Sequence, residues 1–270
     1  MHRLSIWPEQ DQQAPGPRAE LLFGGDFCPI GRCEQQVLAG QPIFHPDLQA
    51  CFRQSFSMVN LEAPLCDRGV PSASYSGSGL RGEPALAASL KAMGITAVGL
   101  ANNHIQDFGD EGVRQTLASL TQAGVDHTGA GMNLRAAEVP LVATVNGLRV
   151  GIWALAEKEL NLAGETVAGA AWFSPERNLE VIRELRPQYD FLVLYIHAGH
   201  EFIAVPSPRI RSAYRAYLEA GADVVIGHHP HVMQGVERHG QGLIAYSLGN
   251  LVFDSPYQAA HAGTDAGYLL

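Results

Sequence analysis

Apolar residues gather in short runs that end in polar or glycine-rich turns. The runs are Leu21-Leu22-Phe23, Ser57-Met58-Val59, Ala97-Val98-Gly99-Leu100, Val150-Gly151-Ile152-Trp153, Phe191 to Ile196, Val224-Val225-Ile226 and Leu243-Ile244-Ala245-Tyr246. Their length and β-branched content predict buried strands. Between them the period changes to that of a helix. Val113, Thr116, Leu117 and Leu120 share one face over Gly112 to Ala123. A second helix is predicted over Pro175 to Leu185, with Ser174 as N-cap and proline at the first helical position. A third runs from about Pro208 to Ala220, carries Ile210, Ala213, Tyr214, Tyr217 and Leu218 inward, and stops at Gly221. Strand and helix alternate, so the fold class is α/β. The Gly/Ser-rich stretch Pro71 to Gly82 reads as one long loop. Gly267-Tyr268-Leu269-Leu270 reads as a strand beginning, so the natural domain is expected to continue past it.

Composition narrows the class. With 46% apolar and 17% charged residues over 270 positions, the chain supports one large core, and disorder or a coiled coil is excluded. We divide it into an N-terminal extension, residues 1–19, and one domain, residues 20–270. The 18 basic residues against 27 acidic ones give a net charge of −9, which argues against a surface that tracks phosphates along a duplex, so no nucleic-acid partner is expected. The spacings of Cys28, Cys33, Cys51 and Cys66 lack the close paired hook of a zinc ribbon, and a core of this size requires no disulfide framework. Reduced, packed thiols are the expectation. The first twenty residues hold neither an apolar leader nor a basic one, and no run approaches the ~20 apolar residues of a membrane span. The sequence as it stands reads as cytoplasmic, or membrane-associated if a leader is missing.

The chemistry lies where the runs end. Asp26 follows the first, Asn60-Leu61-Glu62 the second and Asn102-Asn103-His104 the third. His197 follows Ile196, with His200 and Glu201 beyond it; His228-His229-Pro230-His231 follows Gly227, and Ser247-Leu248-Gly249-Asn250 follows Tyr246. Open α/β sheets place their sites at the carboxyl ends of strands, and six of the eleven histidines fall there. A donor set of imidazole nitrogens, carboxylates and an amide oxygen suits Mn, Fe or Zn better than Mg or Ca. So many donors could hold two ions, and two ions about 3.5–4 Å apart serve phosphoester hydrolysis. Each of these residues, taken singly, is also a common turn or helix cap.

Taken in order, Gly25-Asp26, Asn60-Leu61-Glu62, Ala101-Asn102-Asn103-His104, the His-x-Gly-x-Glu of His197 to Glu201, Gly227-His228-His229-Pro230-His231 and Ser247-Leu248-Gly249-Asn250 resemble the motifs of the CapA family. This is the capsule, or poly-γ-glutamate, synthesis group of the calcineurin-like metallophosphoesterases. The resemblance covers the chain from about Leu21 to its end and implies a four-layer αββα sandwich with a dinuclear site. It implies Asp26 and His231 on the first metal; Asn103, His197 and His229 on the second; and His104 contacting the phosphate or protonating the leaving oxygen. The bridging position would fall to Asn60 or Glu62, and Glu62 is favoured because only a carboxylate offers two anionic oxygens. The sequence departs from the family's superfamily pattern at Asp26-Phe27-Cys28, where typical members read Asp-x-His. Cys28 is then either a thiolate ligand or the mark of a single-metal or weakly occupied site.

Around this set, His228 reads equally as packed residue or ligand, and His200 with Glu201 as groups that orient substrate or the His197 ring. Asn250 is an accessory candidate. Arg32 and Arg81 are candidates for an anionic substrate, or simply solvated loop charges. The resemblance implies a metal hydrolase of capsule polymer metabolism acting on a phosphoester or related anionic substrate. The alternatives are a non-catalytic polymer-handling or assembly component of a capsule machine, and a hydrolase of polyglutamate amide links.

Overall fold

The structure is a computed structural model and describes residues 18–72, 79–158 and 161–270. The extension, apart from its last two residues, and the middle of the loop expected at Pro71 to Gly82 lie outside the described residues. The chain runs β1 (Leu21–Cys28), α1 (Gly31–Leu38), α2 (Pro46–Gln54), β2 (Phe56–Leu61), α3 (Leu86–Met93), β3 (Ala97–Gly99), α4 (Gly109–Ala123), β4 (Asp126–Thr128), β5 (Ala130–Gly131), α5 (Leu134–Ala137), β6 (Leu141–Val145) and β7 (Leu148–Ala156). It continues through β8 (Gly169–Ala170), α6 (Pro175–Leu185), β9 (Phe191–His197), α7 (Pro208–Ala220), β10 (Val224–His228), β11 (Val236–His239), β12 (Gly242–Ala245), β13 (Asn250–Phe253) and α8 (Pro256–Ala259).

Two sheets carry the fold. The first is parallel throughout, in the order β13-β1-β2-β3-β4. The second has the order β11-β12-β10-β9-β7-β6; its four central strands are parallel, and β11 and β6 close the edges antiparallel. A small ribbon pairs β5 with β8. The central strands are buried over nearly their whole length, which is why they read as continuous apolar runs. Tyr195 of β9 spans the gap between the sheets: its ring lies 6.0 Å from that of Phe23, and its hydroxyl donates to the Gly24 carbonyl at 2.8 Å.

The outer faces are covered by helices. Val37, Phe52, Leu86, Leu90, Val113 and Leu120 of α1 to α4 join the core of the first sheet. Ile182, Ile210, Tyr214 and Tyr217 of α6 and α7 pack on the far side of the second, against Trp153, Leu192 and Leu194. Helix, sheet, sheet, helix is the four-layer αββα sandwich that the motifs imply. Each fully buried Leu, Ile or Phe here contributes about 1.5–3 kcal/mol.

All seven expected strands form, and α6 and α7 have the expected limits. Helix α4 starts three residues earlier than expected, with Asp110 and Glu111 placed favourably in its first turn and Gly109 supplying the left-handed φ of +62° at its entry. Ser174 makes no side-chain cap; Asn178 Oδ1 instead accepts from the Ser174 amide at 2.5 Å. The segment expected to begin a strand is not a formal strand, yet Tyr268 bonds to Leu248, and Leu270 exchanges two hydrogen bonds with Phe23. All four cysteines are free thiols. Among the described residues, no helix is long and apolar enough to cross a membrane.

Candidate metal centre

Strand register brings the polar residues together. Asp26 pairs with Asn60 on one side and Asn250 on the other, Asn60 with Gly99, and His228 with His197. The carboxyl ends of both sheets therefore meet at one edge of the sandwich. The strand register shifts on both sides of Asp26, the kind of irregularity that bends a strand locally. Gly25 makes this possible, since a Cβ there would sit 1.9 Å from the Gly249 carbonyl oxygen, the same atom that accepts from the Asp26 amide at 2.9 Å.

Two sets of donor atoms, each within 4.8 Å of one another, form here: Asp26, Glu62 and His197, and Glu201, His229 and His231. The sets interlock. His229 Nδ1 lies 3.1 Å from His197 Nε2, which is 3.0 Å from Asn103 Oδ1. His231 Nε2 lies 3.4 Å from Glu62 Oε1, and its Nδ1 is 3.3 Å from Asp26 Oδ2. All of these residues but Glu201 are buried. Two imidazole nitrogens facing each other beside an amide oxygen and two carboxylates form a donor set that a divalent cation satisfies, so the residues fit a metal.

The backbone is strained to achieve this. His229 and His231 adopt φ of +92° and +57°, left-handed values that are costly for residues with a Cβ. The His229 amide donates to Asp26 Oδ2 at 3.3 Å, which ties the turn to β1.

Electrostatics favours ligand-competent forms. Burial alone would raise the Asp26 carboxyl, but His228 and His231 beside it outweigh that and hold it well below the usual range. Burial, reinforced by His229, pushes His197 well below the ordinary imidazole value and leaves one ring nitrogen with a lone pair to donate. Burial, followed by Glu62, pushes the Cys28 thiol well up. Cys28 is fully buried and joins neither donor set.

The accessory residues take distinct places. Asn60 is a hub: its amide donates to Asp26 Oδ1 at 2.8 Å and Glu62 Oε2 at 3.3 Å, and its oxygen accepts from Asn102 at 3.3 Å. Asn250 Oδ1 meets His231 Nδ1 at 2.9 Å, which orients that ring and leaves Nε2 toward Glu62. His228 packs on Tyr195 with ring centroids 4.1 Å apart and the planes tilted by 43°; its Nδ1 is 3.3 Å from Asp26 Oδ1 without the alignment of a hydrogen bond. His200 is exposed and joins neither donor set, whereas Glu201 joins His229 and His231. Arg32 is bound by Asp254 through its guanidinium and its own amide, and Arg81 lies over the Phe108 ring at 5.0 Å. Neither arginine belongs to the cluster.

His104 has a partner that the sequence reading did not single out. Asp107, fully buried, accepts from the Leu80 amide at 2.7 Å and meets His104 Nδ1 at 2.9 Å with the same oxygen. The His104 amide is held by Asn102 Oδ1 at 3.1 Å, so the imidazole is fixed at both ends of the turn. The i, i+3 spacing of His104 and Asp107 behind a strand end was the available signal.

Known proteins share this architecture. A Thermus thermophilus protein of unassigned function aligns with a TM-score of 0.52 at 17% identity, over 85% of this chain and 75% of that one. A Staphylococcus aureus protein described as a candidate 5'-nucleotidase, solved with α-ketoglutarate, aligns at 0.51 and 16% identity, over 83% of this chain and 48% of that one. The fold is thus metallophosphoesterase-like. In sequence, the chain is 35% identical over 172 residues to the capsule biosynthesis protein CapA of Bacillus anthracis, 62% of this chain and 42% of that protein. It is 34% identical over 168 residues to the PGA biosynthesis protein CapA of Bacillus subtilis (strain 168), 61% of this chain and 44% of that protein. The chain therefore spans less than half the length of these relatives. The family model for the bacterial capsule synthesis protein PGA_cap matches residues 20–255, nearly the whole described domain, and the chain belongs to that family.

Proposed function

We propose that this chain is a divalent-metal hydrolase of capsule or poly-γ-glutamate synthesis, acting on a phosphoester or a related anionic substrate. The observation that carries the reading is the interlocked donor set from both sheets beside the His104–Asp107 pair. Asp26, Glu62 and His231 would hold one ion, and Glu62, Asn103, His197 and His229 a second. Bound there, divalent ions supply Lewis-acid stabilisation of an anionic oxygen and an activated water. The chain's own groups do the rest. Asp107 holds Nδ1 of His104, and the imidazole would pass a proton from Nε2 to the leaving oxygen as water's oxygen bonds to phosphorus and the ester bond breaks. The buried neighbours Asn60 and Asn250 hold the carboxylate and imidazole donors in place. Mn, Fe or Zn suits this mixture of nitrogen and oxygen donors.

Elemental analysis of protein purified without chelators tests the reading, with bis(p-nitrophenyl) phosphate as a generic substrate. About two equivalents of metal, lost together with turnover in an Asp26, His229 and His231 triple alanine variant, are expected for such a site. No bound metal after reconstitution would refute it.

A second reading has its own support. Position 28 carries a cysteine where the superfamily has a ligand histidine, and the Mycobacterium tuberculosis relative at 27% identity over 179 residues is described as a probable polyglutamine synthesis accessory protein. A component that binds polymer or other capsule-synthesis proteins without turnover would follow. Robust phosphodiester hydrolysis excludes it, and product analysis on defined polyglutamate separates phosphoester from amide cleavage.

A further inference from the structure

The first metal of the proposed site is one histidine short, because Cys28 stands in its place and its thiol joins neither donor set among the described residues. A replacement comes from elsewhere in the fold. Glu201 lies in the loop between β9 and α7, on the second sheet, and offers a carboxylate oxygen within 4.8 Å of nitrogens of His229 and His231. Two contacts pin it there. The Phe202 amide donates to the Pro230 carbonyl at 2.9 Å, so this loop is clipped to the residue that separates the two histidines. The Tyr257 hydroxyl donates to Glu201 Oε2 at 3.2 Å, which leaves the other carboxylate oxygen for a cation. Phe202 takes a left-handed φ of +62°, stacks on His261 at 3.8 Å and packs edge-on to Tyr257 at 5.5 Å, so the carboxylate's neighbours on both sides are held by packing.

The geometry points to Glu201 as a metal ligand that joins His231 on the first ion, on the side that faces His229, and compensates for the histidine missing at position 28. This inference rests on the dinuclear reading above and deepens it. Exchanging a neutral imidazole for a carboxylate adds a negative charge and a hard oxygen donor, which shifts the site's preference toward oxygen-seeking ions such as Mn²⁺.

Chelator-stripped parent, Glu201→Gln, Glu201→Asp and Tyr257→Phe proteins are titrated with Mn²⁺ alone and with Zn²⁺ alone by calorimetry, and the Mn²⁺-loaded forms are compared by electron paramagnetic resonance. Glu201→Gln should weaken one of two Mn²⁺ sites by more than about tenfold, weaken Zn²⁺ less, and remove the exchange-coupled signal of a Mn²⁺ pair. Glu201→Asp should restore part of the affinity, and Tyr257→Phe should cost less than Glu201→Gln. Unfolding midpoints measured in chelator should match the parent, which separates a ligand from a structural residue. Parent and Glu201→Gln proteins that bind two ions with equal affinity would overturn the role of Glu201 alone. A parent that binds no metal would overturn the dinuclear reading with it.

Discussion

Replacing Gly25 with alanine tests how the first sheet delivers Asp26 to the site. An added Cβ would lie 1.9 Å from the Gly249 oxygen and 2.9 Å from its carbonyl carbon, both backbone atoms with no rotamer to escape into. The strands must part, and the Asp26 to Gly249 hydrogen bond at 2.9 Å goes with them. Overpacking a buried site costs about 1–3 kcal/mol and an unmade buried backbone bond another ~1–3, so the variant should lose roughly 2–6 kcal/mol, offset by under about 1 from the stiffer unfolded chain. At about 2 °C per kcal/mol for a chain of this size, that is a fall of about 4–12 °C in Tm. Gly24→Ala is the control: the nearest atoms to its Cβ would be side-chain methyls, of Leu251 and Val59 at 3.1 Å and Leu269 at 3.5 Å, which need give by only a few tenths of an ångström, so it should cost less than Gly25→Ala, about 1 kcal/mol. Urea unfolding followed by circular dichroism in chelator reads both variants without a contribution from metal. Because Asp26 and Asn250 pair across this contact and both touch His231, Gly25→Ala should also weaken metal binding. A Gly25→Ala protein within about 1 kcal/mol of the parent, or a Gly24→Ala protein equally damaged, would refute the reasoning.

Other outcomes are equally specific. His104→Ala should lower kcat by about 10²–10⁴-fold while metal content stays at the parent level, and unchanged turnover would remove His104 from the chemistry. Asp107→Asn keeps the side-chain shape but not its charge; kcat should fall by about 10–100-fold with metal retained, and a loss of metal instead would make Asp107 structural to the centre. In the metal-free protein, burial holds His197 and His127 below the 6.5 of an exposed imidazole, so between the depressed values and 6.5 the unfolded chain binds more protons than the folded one. Stability in chelator should therefore rise with pH through that window. The urea midpoint should be lower near about pH 5 than near about pH 7.5, and the reverse order would contradict the burial of neutral imidazoles.

The central strands were readable because parallel strands covered on both faces must be apolar throughout. Edge elements carry no such signature. β6 is buried at one position in five, β11 alternates between exposed and half-buried, and β4 reads Asp-His-Thr. The Asn146-Gly147 turn, with both φ values positive, joins β6 to β7 and was a hairpin signal that the strand runs alone did not use. Helices α1 and α2 bury only Cys33 and Val37, and Phe52, too narrow a stripe to stand out as a period. In the site, strand-end position pointed to Asp26, His197 and the His-Pro-His turn, whereas partnerships set by tertiary packing were not legible. Arg32 meets Asp254 across 222 residues, and Asp107 and Glu201 acquire their neighbours only when separate loops fold against one another.

Tyr195, whose hydroxyl reaches from one sheet to the Gly24 carbonyl of the other, marks a wider consequence of this architecture. Asp26, Glu62 and Asn103 arrive on the first sheet or its loops, and His197, His229 and His231 on the second. Each sheet alone holds half a chelate. Metal capture at the proposed site would therefore report the docking of the two halves of the protein, and an ion seated between them would work as a rivet: a folding intermediate with one sheet formed should bind it poorly, and any slip of one sheet over the other should release it.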